Sequence, residues 1–205
     1  MRFVPPLLLL LPVAALAQNA ALPEFPVETV HSDADHYVET IHAVGTGWIA
    51  RGSRPQDYRM GTGPVPGSLE PAAFVITARP EARTSHRDFG TLMQMHAPGP
   101  FLGKRVRISA RIKTADVRWA QLWLRADYSG TSSLCNMDDR PVRDTTDWTR
   151  HEIVLDVPGN AAAIAYGFFI AGGRGTAWMD GLTLEVVDDT VPATVAGCTR
   201  DTGFY

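Results

Sequence analysis

The stretch WAQLWLRAD, Trp119 to Asp127, sets two indoles, an amide, a guanidinium and a carboxylate at every second position. With the period of two that a strand imposes, Trp119, Gln121, Trp123, Arg125 and Asp127 share one face. Ala120, Leu122, Leu124 and Ala126 take the other, which reads as core. The polar-aromatic face carries the groups a sugar site needs. Aromatic rings pack on the C–H face of a pyranose, and planar polar groups hydrogen-bond its hydroxyls at fixed angles. The following loop adds Asn136, Asp138, Asp139 and Arg140. Arginine supplies five donors in a rigid fork, and asparagine or carboxylates supply acceptors. Trp119, Gln121, Trp123, Arg125, Asn136 and Arg140 are therefore the candidate ligand-binding residues. A second reading stands beside it: Arg125 and Arg140 pair with Asp127 and Asp139 and pin the loop across the fold. Trp123, between two leucines, reads as core, and Trp119, at the strand entrance, as the exposed ring.

Other chemistry-bearing groups form no complete constellation. No G-x-S-x-G elbow anchors a serine hydrolase. HRDFG (His86 to Gly90) only superficially joins kinase signatures that belong to separate loops. The two carboxylates of a glycosidase cannot be singled out among 22 acidic residues. No catalytic residue is assigned, and the chain reads as a non-enzyme. His31, Asp33, Asp35, His36, Glu39 and His42 cluster in sequence, but without HExxH or facial-triad spacing they read as a solvated acidic loop. In KRVRISARIK, Val106, Ile108, Ala110 and Ile112 alternate with Arg105, Arg107, Ser109, Arg111 and Lys113, a half-buried strand with a basic outer face.

The chain that must position these groups has 205 residues and a formal net charge of −3. That balance gives no support to a nucleic-acid or anionic-membrane partner. Residues 1–17, MRFVPPLLLLLPVAALA, have the basic, apolar, A-x-A order of a secretory signal peptide, so a periplasmic or secreted location is expected. The apolar run holds prolines and is too short to span a membrane comfortably, so no membrane insertion is expected. Two cysteines, Cys135 and Cys198, follow the leader. In an oxidising compartment an even pair bridges, here pinning a polar tail that otherwise would fray.

Residues 18–47 read as an edge strand followed by a short helix or loop, and GSRPQDYRMGTGPVPGS as a long connecting loop. From there strand succeeds strand: AAFVITAR, FGTLMQMHA, KRVRISARIK, WAQLWLRAD, RHEIVLDV, AAIAYGFFIAG and TAWMDGLTLEVV. Without a sustained helical period or βαβ rhythm, this is an all-β, antiparallel β-sandwich over 48–187, with a tail over 188–205.

The order DYRMG, FGTLMQM, GKRVRISARIKTADV, WAQLWLRAD, NMDDRPV, TTDW, VLDVP, IAYGFFIAG and AWMDGLTLEVV is similar to a family of uncharacterised bacterial β-sandwich domains. These resemble the galactose-binding-like jelly rolls of carbohydrate-binding modules. The resemblance covers Trp48 to Val187 and implies jelly-roll topology. In related domains an acidic residue stands where this chain has Cys135, and a glycine where it has Asp144, which puts any ligand role of that acid in doubt here. Trp178 and Asp180 resemble the final strand of such modules, where an aspartate helps hold structural calcium; the resemblance makes Asp180 a candidate calcium ligand. No other cofactor is implied. Some relatives are joined to DNA-binding regulatory domains, an arrangement not expected of an exported chain. The resulting expectation is an exported, non-catalytic domain binding carbohydrate or envelope glycan through its aromatic and arginine face. A small polysaccharide-active hydrolase or lyase, and a structural or protein-interaction domain without a small ligand, remain alternatives.

Overall fold

The computed structural model describes residues 28–29, 40–41, 47–82, 85 and 87–201. Residues 1–17, read from sequence as a leader, and most of the His31–His42 segment lie outside these residues; Glu28–Thr29 (β1) and Thr40–Ile41 (β2) form a short antiparallel pair. The main body is built from β3 (Ile49–Gly52), β4 (Tyr58–Gly63), β5 (Ala73–Ala78), β6 (Phe89–His96), β7 (Arg105–Tyr128) and β8 (Thr131–Cys135). It is completed by β9 (Val142–Asp156), β10 (Ala163–Ala171), β11 (Thr176–Val187) and β12 (Cys198–Asp201). All pairings are antiparallel, and the only helical pieces among the described residues are two 3-10 turns, Pro55–Asp57 and Gly99–Phe101.

Strand β7 organises the molecule. The alternating patterns of KRVRISARIK and WAQLWLRAD predict two strands, yet the chain runs through both as one strand of 24 residues. Its first half lies between β9 and β11, and its second half between β8 and β10. Between the halves the pairing with β9 shifts register three times from Ile112 to Ala120, and Asp116 adopts a left-handed φ of 52°. Extra residues of this kind bend a strand and raise its twist. Gly175 (φ +78°) allows the turn to close: a Cβ there would meet the Asp116 carbonyl oxygen at 2.4 Å. One layer is thus β4-β5-β11-β7-β9 and the other β3-β6-β10-β7-β8-β12. The result is an antiparallel β-sandwich with jelly-roll topology.

The inner faces follow the alternation read from sequence. Val106, Ile108, Ala110 and Ile112 from the first half of β7 join Ala120, Leu122, Leu124 and Ala126 from the second in one fully buried core. Ile164, Phe168 and Ile170 of β10 and Ile153 of β9 close it. At roughly 1.5–3 kcal/mol for each large aliphatic or aromatic side chain removed from water, these faces fix strand parity. The same parity sends Trp119, Gln121, Trp123 and Arg125 outward.

Three expectations need adjustment. The segment read as a long loop contains β4, whose Tyr58 is buried. The polar tail carries β12, paired with β8 and tied to it by the Cys135–Cys198 disulfide. Trp148, which follows the turn cluster DTTD and so reads from sequence as a plug at one end of the core, instead lies outside the first layer. There it packs against Ala73, Val75 and Trp178 and donates from Nε1 to the Pro66 carbonyl at 3.1 Å. Among the described residues no helix is long and apolar enough to cross a membrane.

Candidate ligand-binding site

The outward residues of β7 do not stand alone. β10 pairs with β7 on one side and β6 on the other, and β3 extends the layer beyond β6. Their outward positions therefore fall side by side. Phe89, Thr91 and Met93 of β6, Phe169 and Ala171 of β10, and Leu134 of β8 surround the β7 face. Together they wall a concavity of about 720 Å³, which Arg51, Gly52, Arg87, Asn136 and Asp138 complete. A volume of that order holds a small organic molecule.

The floor is apolar and fixed. Trp123 is 7% exposed and packs against Met93 and Ala165. Its indole N–H donates to Thr91 Oγ1 at 3.0 Å, and the Thr91 hydroxyl donates to the Phe168 carbonyl at 2.8 Å. Trp123 is thus both buried and on the site face, because this face carries an apolar cluster of its own. Phe89 and Phe169 meet with ring centroids 5.4 Å apart and planes inclined at 57°, a tilted contact of the favoured kind. Gly167, opposite both Met93 and Trp123, permits this tight packing: a Cβ there would meet the Leu92 carbonyl oxygen at 2.0 Å.

The polar groups sit around that floor. Gln121 is buried, and its Nε2 donates to Asp138 Oδ1 at 2.9 Å. Asp138 N–H in turn donates to Asn136 Oδ1 at 3.3 Å, and Asn136 N–H to the Gly197 carbonyl at 3.0 Å. Trp119 is half-buried, with the guanidinium carbons of Arg118 and Arg143 at 5.4 and 5.5 Å from its ring centre, within cation–π range. Arg125 pairs with Asp127. Nη2 donates to Oδ2 at 3.0 Å, while Nε lies 2.9 Å from Oδ1 without hydrogen-bond alignment and keeps an unsatisfied N–H. We read that second approach as a charge contact only, since direction decides a hydrogen bond.

Of the six residues singled out from sequence, Trp119, Gln121, Trp123, Arg125 and Asn136 come together here. Arg140 does not. Its Nη1 donates to both carboxylate oxygens of Asp139 at 2.9 and 3.1 Å, and its Nη2 to the Glu152 carbonyl at 2.9 Å, so it pins the loop to β9. The two readings of the arginines thus divide: Arg140 is a pin, and Arg125 is both paired and part of the wall. Sequence reasoning missed Arg51, Arg87, Phe89, Met93 and Phe169. Phe89, Met93 and Phe169 keep the alternation of their own strands and Arg51 and Arg87 lie in turn-rich segments, but bringing them together needs the order β3-β6-β10-β7, which alternation does not encode.

Asp180 has a different role from the calcium ligand the resemblance suggested. It is 1% exposed, and Arg111 grips it with Nε on Oδ1 at 2.8 Å and Nη2 on Oδ2 at 2.5 Å. The Ser68 hydroxyl and Leu69 N–H also donate to Oδ2, at 3.0 and 2.7 Å. Burial pushes this carboxyl upward, but the donations from Arg111, Leu69 and Ser68 outweigh it and hold the group below its ordinary range. Both oxygens are therefore spent on tying the β4–β5 loop to the first layer. Among the described residues no three His, Cys, Asp or Glu side chains gather to hold a metal.

Fold and site together define a β-sandwich with a ligand-sized, aromatic-floored concavity on the outside of one layer. No protein-family model matches the sequence. The chain is 37% identical over 158 residues to the uncharacterized HTH-type transcriptional regulator YbfP of Bacillus subtilis, covering 72% of this chain and 50% of the regulator. It thus spans about half the length of that relative. Among solved structures it is similar to the C-terminal family 22 carbohydrate binding module of Clostridium thermocellum Xyn10B (TM-score 0.52, 11% identity, 69% of this chain and 86% of that one). A xylan-binding domain of the same module family (TM-score 0.50, 17% identity, 76% and 97%) has the same fold. A part of the enzymatically active domain of bacteriophage CBA120 tailspike protein 4 is similar as well (TM-score 0.51, 13% identity, 69% of this chain and 20% of that one). At such identities these structures bear on the fold alone. The regulator relative overturns the expectation of an exported carbohydrate-binding domain, since a far higher identity ties the chain to a protein of another class.

Proposed function

We propose that this sandwich is a small-molecule-binding module of the kind that forms the ligand-responsive half of a transcriptional regulator, with the β6-β10-β7 concavity as its site. The observation that carries the reading is the concavity itself. It pairs a rigid apolar floor with a few convergent polar groups, the usual build of a small-molecule site. The regulator relative supports it from another side. A helix-turn-helix needs helices, and the described residues hold none of α type, which supports the sandwich corresponding to a part of the regulator other than the DNA-reading one.

Binding at the site stabilises the fold by mass action, about 2.7 kcal/mol at a ligand concentration one hundred times Kd. A thermal-shift screen of small metabolites should therefore give compounds that raise Tm by several degrees, with the shift lost in Trp119→Ala and Phe169→Ala. A screen without such compounds, or shifts that survive both substitutions, sinks the reading. DNA contact is assigned to no part of the sandwich; mobility-shift assays with the purified chain should leave duplex DNA unretarded. The compartment is a separate matter: the disulfide and the leader-like residues 1–17 support an oxidising location, and the regulator relative weighs against one. Thiol alkylation in cell fractions tests that separately.

A further inference from the structure

We infer that the ligand of this concavity is an organic anion with a flat or apolar body, its acidic group held by the arginines of the wall. This rests on the binding-site reading above and names the ligand class. The argument is one of local charge against an apolar floor. The chain as a whole is acidic, with a formal net charge of −3. The concavity inverts that balance: Arg51, Arg87 and Arg125 line it, against Asp138 in the lining and Asp127, which pairs with Arg125.

The arginines are also unequally engaged. Among the described residues Arg51 and Arg87 form no ion pair; both are exposed, and Arg51 makes a single contact from Nη1 to the neighbouring Ala50 carbonyl at 2.9 Å. Arg125 is largely committed to Asp127, with Nη2 donating to Oδ2 and the buried Nε against Oδ1, which leaves only Nη1 without a partner among the described residues. Arg118 and Arg143 stand against the Trp119 ring and add positive charge beside the opening. Asp138, the opposing acid, already accepts from Gln121. A guanidinium fork matches a carboxylate, sulfonate or phosphate bidentately. The walls between those forks are the rings of Trp119, Phe89 and Phe169, which favour a planar apolar body. A ligand with both parts satisfies both halves of the site, and a neutral polar molecule leaves the guanidinium forks unmatched.

Two fluorescent probes of almost identical shape separate the possibilities: anilinonaphthalene sulfonate, which is anionic, and phenylnaphthylamine, the same ring system without the sulfonate. Titrated into the folded full chain, the anionic probe should bind at least about tenfold more tightly. Arg51→Gln with Arg87→Gln should weaken it by about tenfold, from roughly two- to fivefold per exposed charge. Arg125→Gln should cost about tenfold or more by itself. The neutral probe should be unaffected by all three, and Arg107→Gln on the opposite layer should change neither. Unfolding curves of each variant establish that the fold is intact, and the Arg51/Arg87 pair keeps the test available if Arg125→Gln does not fold. Equal affinities for the two probes, or anion binding indifferent to the arginine variants, overturn the anion assignment while leaving the site. If neither probe binds, the assignment falls, and the metabolite screen decides whether the site falls with it.

Discussion

Along the first half of β7, Arg105, Arg107, Arg111 and Lys113 each reach a carboxylate: Asp156, Glu185, Asp180 and Asp147. Along the second half the outward row is Trp119, Gln121, Trp123 and Arg125, facing a concavity. One strand therefore offers two outer surfaces, one closed by its own ion pairs and one left open above an apolar floor. The row of four cations, the more conspicuous feature in sequence, is the inert one. Its charges are matched by β9 and β11, and Arg105 holds Asp156 below the ordinary carboxyl range by direct hydrogen bonding. What sets the open face apart is thus its apolar concavity and the exposed Arg51 and Arg87 beside it, rather than the density of charge along a strand.

The largest test of this contrast is covalent. The open layer ends in β8 and β12, and among the described residues β12 pairs only with β8, in a register that sets Cys198 opposite Cys135. The bridge closes a separation of 63 residues, for which chain entropy alone assigns about 4 kcal/mol. Denaturant titration of the Cys135→Ser/Cys198→Ser pair should show a loss of that order. The open face should suffer with it, since Asn136 N–H donates to Gly197 beside the bridge. An unchanged midpoint would mean that the layer holds its edge without the staple.

On the closed face the strongest element is the buried Asp180. Replacing it with alanine strands Arg111 and frees Ser68 and Leu69, a loss of about 3 kcal/mol by unfolding. Ligand shifts at the opposite layer should persist in this variant; their disappearance would merge two faces that the structure keeps apart.

The smallest effect concerns a group that neither face satisfies. His151 of β9 has a buried Nε2 without a hydrogen-bond partner among the described residues. Burial, followed by the charge of Arg140, lowers its pKa from the ordinary 6.5. The folded state therefore resists protonating it. Stability is intact above about pH 6.5 and falls as the pH drops below that value, whereas the contribution of Asp147, Asp156 and Asp180, whose carboxyls are held low, is lost only below about pH 4. Thermal melts should show a modest decline between pH 7 and 5.5 that His151→Gln removes. A decline identical in the variant would place its origin elsewhere.

These particulars also show what alternation encodes and what it leaves out. KRVRISARIK and WAQLWLRAD each disclose which side chains point inward, because a one-residue slip would expose a whole aliphatic row. TAWMDGLTLEVV matches β11 residue for residue for the same reason. The neighbourhood is a different matter. Arg51 and Arg87 belong to segments of turn-rich composition, and their approach to Trp119 depends on strand order, which distant pairing decides. The union of two predicted strands into β7 was hidden too, since the irregular stretch at Asp116 reads as a loop. Arg140 and Asp180 looked like ligand groups because residue type records capacity, and only the fold records which partner takes it up.

Because β7 is one uninterrupted length of polypeptide shared by both layers, those layers are joined by peptide bonds along their middle and not merely by side-chain contact. Strain imposed at Arg125 has a direct mechanical route to Arg111 that crosses no interface. A protease cut near Asp116 would sever that route while every outer strand stayed whole.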